Sequence, residues 1–458
     1  MTASARSSAP GTGALGLYAR SFHKGEGVHR RAPGGDRPVR YKLHEVVRRL
    51  MYTPGLPQNM QHRVCSCRFR RNAPEVTGRL NKATGLASFI GLETCRSVWM
   101  CPLCSGFITE ERRIELQLAI TSWKKQGGEI YLGTHTFPHL RADRLTVQLA
   151  RMRDAMKQFN KDRRVLKARR AAGYVGQIRA LEVTWGSWHG WHPHFHFLLF
   201  CRPGQLGLLK TLETAWVDAL LKVGLAEKSQ LNDMLRGAGG ESPAFDVQNG
   251  DYAAEYVAKF GHDPSMKSKI ETGETWGAAA ELTKGMSKTG RRLSGITPFT
   301  LLAVVAGTCE VRGLTKGRAA ALFSEFALAF KGQRQLYWSP RLRDVLNMGK
   351  LFTDEELIDL AEKKPEFLDV CKFKPRDWAL VLAHRAYVDV LRAIEEGAGD
   401  AAPVEALIAE LRQRPPIHPP GVSRWKPDGS FAAGLDTPRE PWPKPGRGVL
   451  LFGNPYLH

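Results

Sequence analysis

Between residues 174 and 200 the chain reads YVGQIRALEVTWGSWHGWHPHFHFLLF. Two runs rich in β-formers, 174–186 and 192–200, flank a short Gly/Ser/Trp/His turn, and this pattern predicts an antiparallel hairpin. Side chains alternate faces along a strand. His192, His194 and His196 therefore share one side, while Pro193, Phe195 and Phe197 point the other way into a core. The apolar LLF that follows anchors the strand rigidly, as a metal site requires. Two imidazoles at i and i+2 can chelate one ion. Glu182, a carboxylate in an otherwise apolar run, could face His194 and His196 across the hairpin. Two His plus one carboxylate suit Mn²⁺ or Mg²⁺ with positions left open for substrate oxygens. His194 and His196 are the expected main ligands, Glu182 the third, and His192 the competing choice.

The chain of 458 residues carries 67 Lys plus Arg against 45 Asp plus Glu, a formal charge of +22. This excess favours a polyanionic partner, nucleic acid first, because neutralising phosphates releases counterions. No run of eighteen apolar residues suggests a membrane span, and the first 25 residues lack the apolar core of a secretory signal. A cytoplasmic protein with reduced thiols is expected. The eight cysteines then read as metal ligands or core residues rather than disulfides.

Cys65, Cys67, Cys95, Cys101 and Cys104 lie within forty residues. Cys101-Pro-Leu-Cys104 is the tight knuckle that brings two thiolates to one tetrahedral ion. Cys95 precedes it by six, and Cys65 or Cys67 closes the site from a distance, with the choice between those two open. Four thiolates leave no open coordination position, so the zinc expected here is structural. Cys201, Cys309 and Cys371 are isolated and read as core.

Composition divides the chain into a disordered basic tail (1–45), a cysteine-rich zinc-binding segment (46–128), a mixed strand and helix core (129–262), a polar Gly/Lys-rich linker (263–298), a helical C-terminal region (299–412) and a Pro-rich tail (413–458). The core contains a strand at 129–137, an amphipathic basic helix at 145–165, the hairpin, a helix at 208–224 and a short helix at 251–260. The fold class is α+β.

In that last helix, DYAAEYVAKF, Tyr252, Tyr256 and Lys259 stand at i, i+4 and i+7 and share one face. A phenol becomes a useful nucleophile when a metal polarises its target and a cation helps it lose its proton. Lys259, one turn beyond Tyr256, supplies that charge.

Together these strings resemble the plasmid rolling-circle replication initiators (Rep proteins) of the HUH endonuclease superfamily, in their two-tyrosine form. GWHPHFH resembles their histidine motif, with Glu182 on the preceding strand. YLGTHTFPH (131–139) resembles their first motif, CRSVWMCPLC (95–104) their N-terminal cysteine segment, and DYAAEYVAKF their tyrosine motif. GITPFTLL (295–302), KGQRQLYWSPRLRD (331–344) and TDEEL (353–357) resemble their C-terminal region. The resemblance covers roughly residues 60–360. It implies a central antiparallel sheet in a split βαβ, RRM-like arrangement. It also implies that Tyr256 is the nucleophile that nicks single-stranded origin DNA, leaving a 5′-phosphotyrosine and a free 3′-OH primer, with Tyr252 as the second tyrosine that rejoins the strand. Glu255 stands where a lysine is frequent and Phe260 where a second aromatic hydroxyl sometimes occurs. A host helicase and polymerase are the implied partners. A two-tyrosine HUH transposase shares this chemistry but acts on other DNA. A non-catalytic zinc-containing DNA-binding protein would use the same histidines and cysteines structurally. A zinc hydrolase of small molecules is disfavoured, since the chain has no HExxH and the positive charge would go unexplained.

Overall fold

The computed structural model describes residues 37–235, 244–250, 296–362 and 366–415. Tyr252, Tyr256 and Lys259 lie outside the described residues, as does most of the expected linker. The described chain opens with α1 (Arg37–Met51). Residues 37–45, expected to belong to the disordered tail, are helical. Tyr41, Leu43, Val46 and Val47 recur at helical spacing and are buried, and burial of such a stripe stabilises a helix that composition alone reads as loose. The hairpin β1 (Val76–Asn81) and β2 (Ala87–Ile90) follows. Next comes α2 (Pro102–Lys125), which starts inside the cysteine knuckle with Pro102 in its first turn, where a fixed φ and a missing N–H cost nothing.

The succeeding elements are β3 (Glu129–His135), α3 (Leu145–Lys161), α4 (Arg163–Ala171), β4 (Gly176–Gly186), β5 (Gly190–Cys201), α5 (Leu206–Lys210), α6 (Glu213–Lys222), α7 (Leu231–Met234) and β6 (Phe245–Asn249). The basic helix expected at 145–165 is two helices. Asp162 is extended, and its carboxylate accepts from Arg164 N to cap α4, a stronger local preference than continuing α3. The C-terminal part contributes α8 (Pro298–Ala306), α9 (Lys316–Ala329), β7 (Leu336–Trp338), α10 (Leu342–Val345), α11 (Asp354–Glu362), β8 (Phe367–Phe373), α12 (Pro375–Ala383), α13 (Tyr387–Glu396) and α14 (Ala402–Gln413).

Two antiparallel sheets organise these elements, one in the order β2-β1-β8 and one in the order β6-β3-β5-β4-β7. In the larger sheet β4 lies beyond β5 rather than beside β3. The stretch 299–412, expected to be helical, is a correction: β7 completes the large sheet beside β4, and β8 pairs with β1. Both strands are short, and non-local pairing rather than local periodicity decides them.

Each face of the large sheet has its own cover. Ile130, Ile178, Leu198 and Phe200 form one apolar layer with Leu116 and Ile120 of α2 and with Trp338, Leu342 and Leu346. The opposite face turns Tyr131, Phe195, Phe197, Phe245 and Val247 into the main core with Met152 and Phe159 of α3 and Trp216 of α6. Trp216 donates its indole N–H to Thr136 O at 2.8 Å, which satisfies a buried polar group. No helix among the described residues is long and apolar enough to cross a membrane.

The small sheet ties the N-terminal segment to the C-terminal one at Gly78, where a Cβ would meet Ile394 Cδ1 at 2.6 Å and Cys371 Sγ at 2.7 Å. Gly78→Val is expected to lower stability by about 1–3 kcal/mol through overpacking, read as a lower denaturant midpoint. An unchanged midpoint would mean that β1 and β8 do not pack in this way.

Candidate metal centres

The hairpin forms in the register that the alternation demands. Glu182 stands opposite His194, Ala180 opposite His196 and Thr184 opposite His192. The side chains meet on the α2 face of the sheet, next along β5 from Leu198 and Phe200. Glu182 Oε2 is 3.4 Å from His194 Nε2 and 3.6 Å from His196 Nε2. Glu182 and His196 are buried and His194 is half-buried. The other ring nitrogens are engaged: His194 Nδ1 donates to His192 O at 3.2 Å, and His196 Nδ1 lies 3.0 Å from Thr134 Oγ1. A carbonyl can only accept, so His194 carries its proton on Nδ1 and presents a lone pair at Nε2. Thr134 holds the His196 ring at its Nδ1 side.

Donor atoms about 2.1 Å from a common ion sit roughly 3.0–3.4 Å apart. Glu182 Oε2 lies at or just beyond that spacing from both Nε2 atoms, and three donors leave positions for other oxygens. His192 does not join them. Its Nδ1 lies 2.9 Å from His139 Nε2. Burial, then the neighbouring His194 and His139, pushes its pKa down to about 2, and His139 is shifted the same way by burial and His189. Glu182, rather than His192, completes the three-donor cluster.

The cysteine cluster resolves the choice that spacing left open. Cys67, Cys95, Cys101 and Cys104 converge, all buried. Cys67 Sγ lies 3.7 Å from Cys101 Sγ and 3.5 Å from Cys104 Sγ, and Cys95 Sγ lies 3.8 Å from Cys104 Sγ. The edge of a ZnS₄ tetrahedron with 2.3 Å bonds is about 3.8 Å, so the donor set fits zinc. Backbone N–H groups of Cys95 and Cys104 donate to Cys67 Sγ and Cys101 Sγ, both at 3.3 Å. Burial pushes the Cys95 and Cys101 thiols well up. Hydrogen bonds from Cys101, Cys67 and Cys95 hold Cys104 well below the ordinary thiol range. Arg68 and Arg96, each directly after a cysteine of the cluster, have φ of 57°, a costly conformation for a non-glycine residue that turns the chain back around the cluster. Cys65 stands apart, its Sγ 3.6 Å from Arg48 O.

Residues 89–212 match a family described as replication protein. That span holds Cys95, Cys101, Cys104, Glu182, His194 and His196. The chain is also similar to the "Protein rep" of Streptomyces lividans, 28% identical over 337 residues, or 61% of this chain and 69% of that protein. A "Neomycin resistance protein" of Streptomyces cyanogenus is 34% identical over 145 residues, or 26% of this chain and 32% of that protein. No solved structure matches.

Two residues near the histidines escaped the sequence reading. Thr134 lies inside the YLGTHTFPH string, where no local pattern marks it; its partner is settled only by the β3–β5 register, which sets it opposite His196. Asp246 stands opposite Thr134 on β6, on the same face, and a lone Asp in FDVQN gives no sequence signal.

Cys67→Ser is expected to abolish stoichiometric zinc in the purified protein while Cys65→Ser retains it, measured as metal content per chain; the reverse result would reject the cluster. Thr134→Val is expected to weaken Mn²⁺ binding about 10-fold or more, the usual effect of removing a ligand's orienting partner. Titration calorimetry showing equal affinity would reject that role.

Proposed function

We propose that this chain is a plasmid replication initiator of the HUH type that nicks and rejoins single-stranded DNA at an origin through a tyrosine nucleophile. The observation that carries the reading is the Glu182–His194–His196 cluster, in which two imidazole Nε2 atoms and a carboxylate converge within the region matched by the replication-protein family. The strand order β6-β3-β5-β4, with β5 between β3 and β4, supports the split βαβ arrangement that such enzymes use. The similarity to the Streptomyces lividans protein points the same way.

In this reading Glu182, His194 and His196 would hold Mn²⁺ or Mg²⁺, which would supply Lewis-acid charge to the scissile phosphate. Tyr256 Oη attacks phosphorus, the P–O3′ bond breaks, and the leaving oxygen takes a proton to become the 3′-OH. Lys259 stabilises the phenolate before attack. The phosphotyrosine keeps the energy of the broken phosphodiester, so Tyr252 can repeat the transfer at the regenerated junction and the strand rejoins without ATP. Cys67, Cys95, Cys101 and Cys104 would hold a structural zinc that would fix the start of α2, whose apolar side covers the same sheet face. The free 3′-OH would pass to a host polymerase, with a host helicase opening the duplex ahead of it.

The test is cleavage of a labelled single-stranded oligonucleotide spanning the origin hairpin of the parent replicon, with Mn²⁺ or with EDTA. The expected product is a metal-dependent covalent adduct, lost in Glu182→Ala, His194→Ala and Tyr256→Phe. Lys259→Met is expected to slow its formation about 10²–10³-fold, as removal of a charge-stabilising group does. Adduct loss only in Tyr252→Phe would exchange the tyrosine roles. Binding without cleavage under every divalent ion would overturn the nuclease reading.

A further inference from the structure

The opposite face of the sheet carries a second constellation that the nicking chemistry does not use. Arg179 of β4 points away from Glu182, since residues three apart on a strand lie on opposite sides. Its guanidinium lies 4.4 Å from the Phe195 ring centroid and 5.0 Å from that of Tyr337, its register partner on the edge strand β7. Arg169 of α4 lies 4.8 Å from the Tyr174 ring centroid, and its Nη2 donates to Gln177 Oε1 at 3.3 Å. Gln177 is two residues from Arg179 on the same face. Neither arginine has a carboxylate partner among the described residues, although both are largely withdrawn from water and burial shifts both pKa values downward.

Such an arrangement is unusual for a structural arginine. A guanidinium removed from water is ordinarily paired with an acid, because desolvation is expensive. Ring stacking offsets part of that cost and leaves planar N–H edges suited to a phosphate. Tyr337 is 39% exposed at the sheet edge, and the flanking Arg334 and Arg341 are exposed too. Guanidiniums interleaved with an accessible aromatic ring are the elements of a stacking platform for a nucleic-acid strand.

We propose that Arg179, Tyr337 and Arg169 form a second binding patch for single-stranded DNA, on the sheet face opposite the histidine cluster. The patch deepens the proposed function, resting on DNA as the partner, but not on the nicking chemistry. It would hold a strand while the other face carries out strand transfer. Arg179 and Arg169 take phosphates, and the Tyr337 ring takes a base.

The test is binding of a fluorescent oligo(dT) to the full chain in EDTA, followed by anisotropy over a series of salt concentrations. Arg179→Gln is expected to weaken binding about 10-fold and to lower the salt slope by about 0.7, one single-strand phosphate contact. Tyr337→Leu is expected to weaken binding about 10-fold through lost stacking with the slope unchanged. An iododeoxyuridine oligonucleotide is expected to photocrosslink at Tyr337 in the wild-type chain, which keeps the proposal testable should a variant fold poorly. Unchanged affinity in both variants overturns the patch, as does an equal loss with Arg392→Gln on α13, a remote exposed arginine. Equal dependence with a duplex of the same length overturns the assignment to single strands. Because EDTA and oligo(dT) exclude cleavage, patch-dependent binding without nicking at the origin would overturn the nuclease alone, and nicking with patch-independent binding would overturn the patch alone.

Discussion

The pairing of β4 with β5 is the constraint on which the rest depends. With Glu182 opposite His194, the period of two on each strand puts Glu182, His194 and His196 on one side and Phe195 and Phe197 on the other. A slip of one residue would turn Glu182 into the aromatic core and leave the two imidazoles without their carboxylate. The register is held from both flanks, by β3 along the length of β5 and by β7 against β4. The donor geometry is therefore fixed by backbone pairing in the middle of a sheet, which suits a site that must present preset lone pairs.

The cysteine cluster serves the same face from a distance. Cys101 and Cys104 lie at the start of α2, and the far end of that helix lays Leu116 and Ile120 over Ile130, Leu198 and Phe200. A tetrahedral ion held by these thiols would fix the direction of the helix more firmly than apolar packing alone, because thiolate coordination is directional and packing is not. Ion pairs add to the anchoring. Arg112 reaches Glu115 and Asp354, and Arg343 reaches Glu115, so α2 is tied to segments more than 200 residues away along the chain.

Much of the candidate site was legible beforehand because it is local. The histidine alternation, the hairpin turn and the Cys101–Cys104 spacing are short-range patterns, and backbone geometry converts each directly into a shared face or a chelating turn. The Cys67 ligand, the Thr134 support of His196 and the strands Leu336–Trp338 and Phe367–Phe373 were not legible, because each depends on a partner brought near only by folding. Cys65 and Cys67 differ by two positions in sequence, and only the turn at Arg68 and its closure on Glu93 decides which sulfur faces inward.

The sequence by itself determined an α+β chain with a histidine hairpin, a cysteine knuckle and a strong positive charge, since periodicity and composition are properties of neighbours along the chain. Tertiary structure brought Glu182, the third donor the hairpin pattern favoured, to His194 and His196 and left His192 aside; it alone decided that Cys67 rather than Cys65 joins the knuckle and that the C-terminal segment completes both sheets. It also placed Arg179 beside Tyr337, 158 positions on. These outcomes turn on a few ångströms between groups far apart in sequence, where packing and register act and local pattern carries no information.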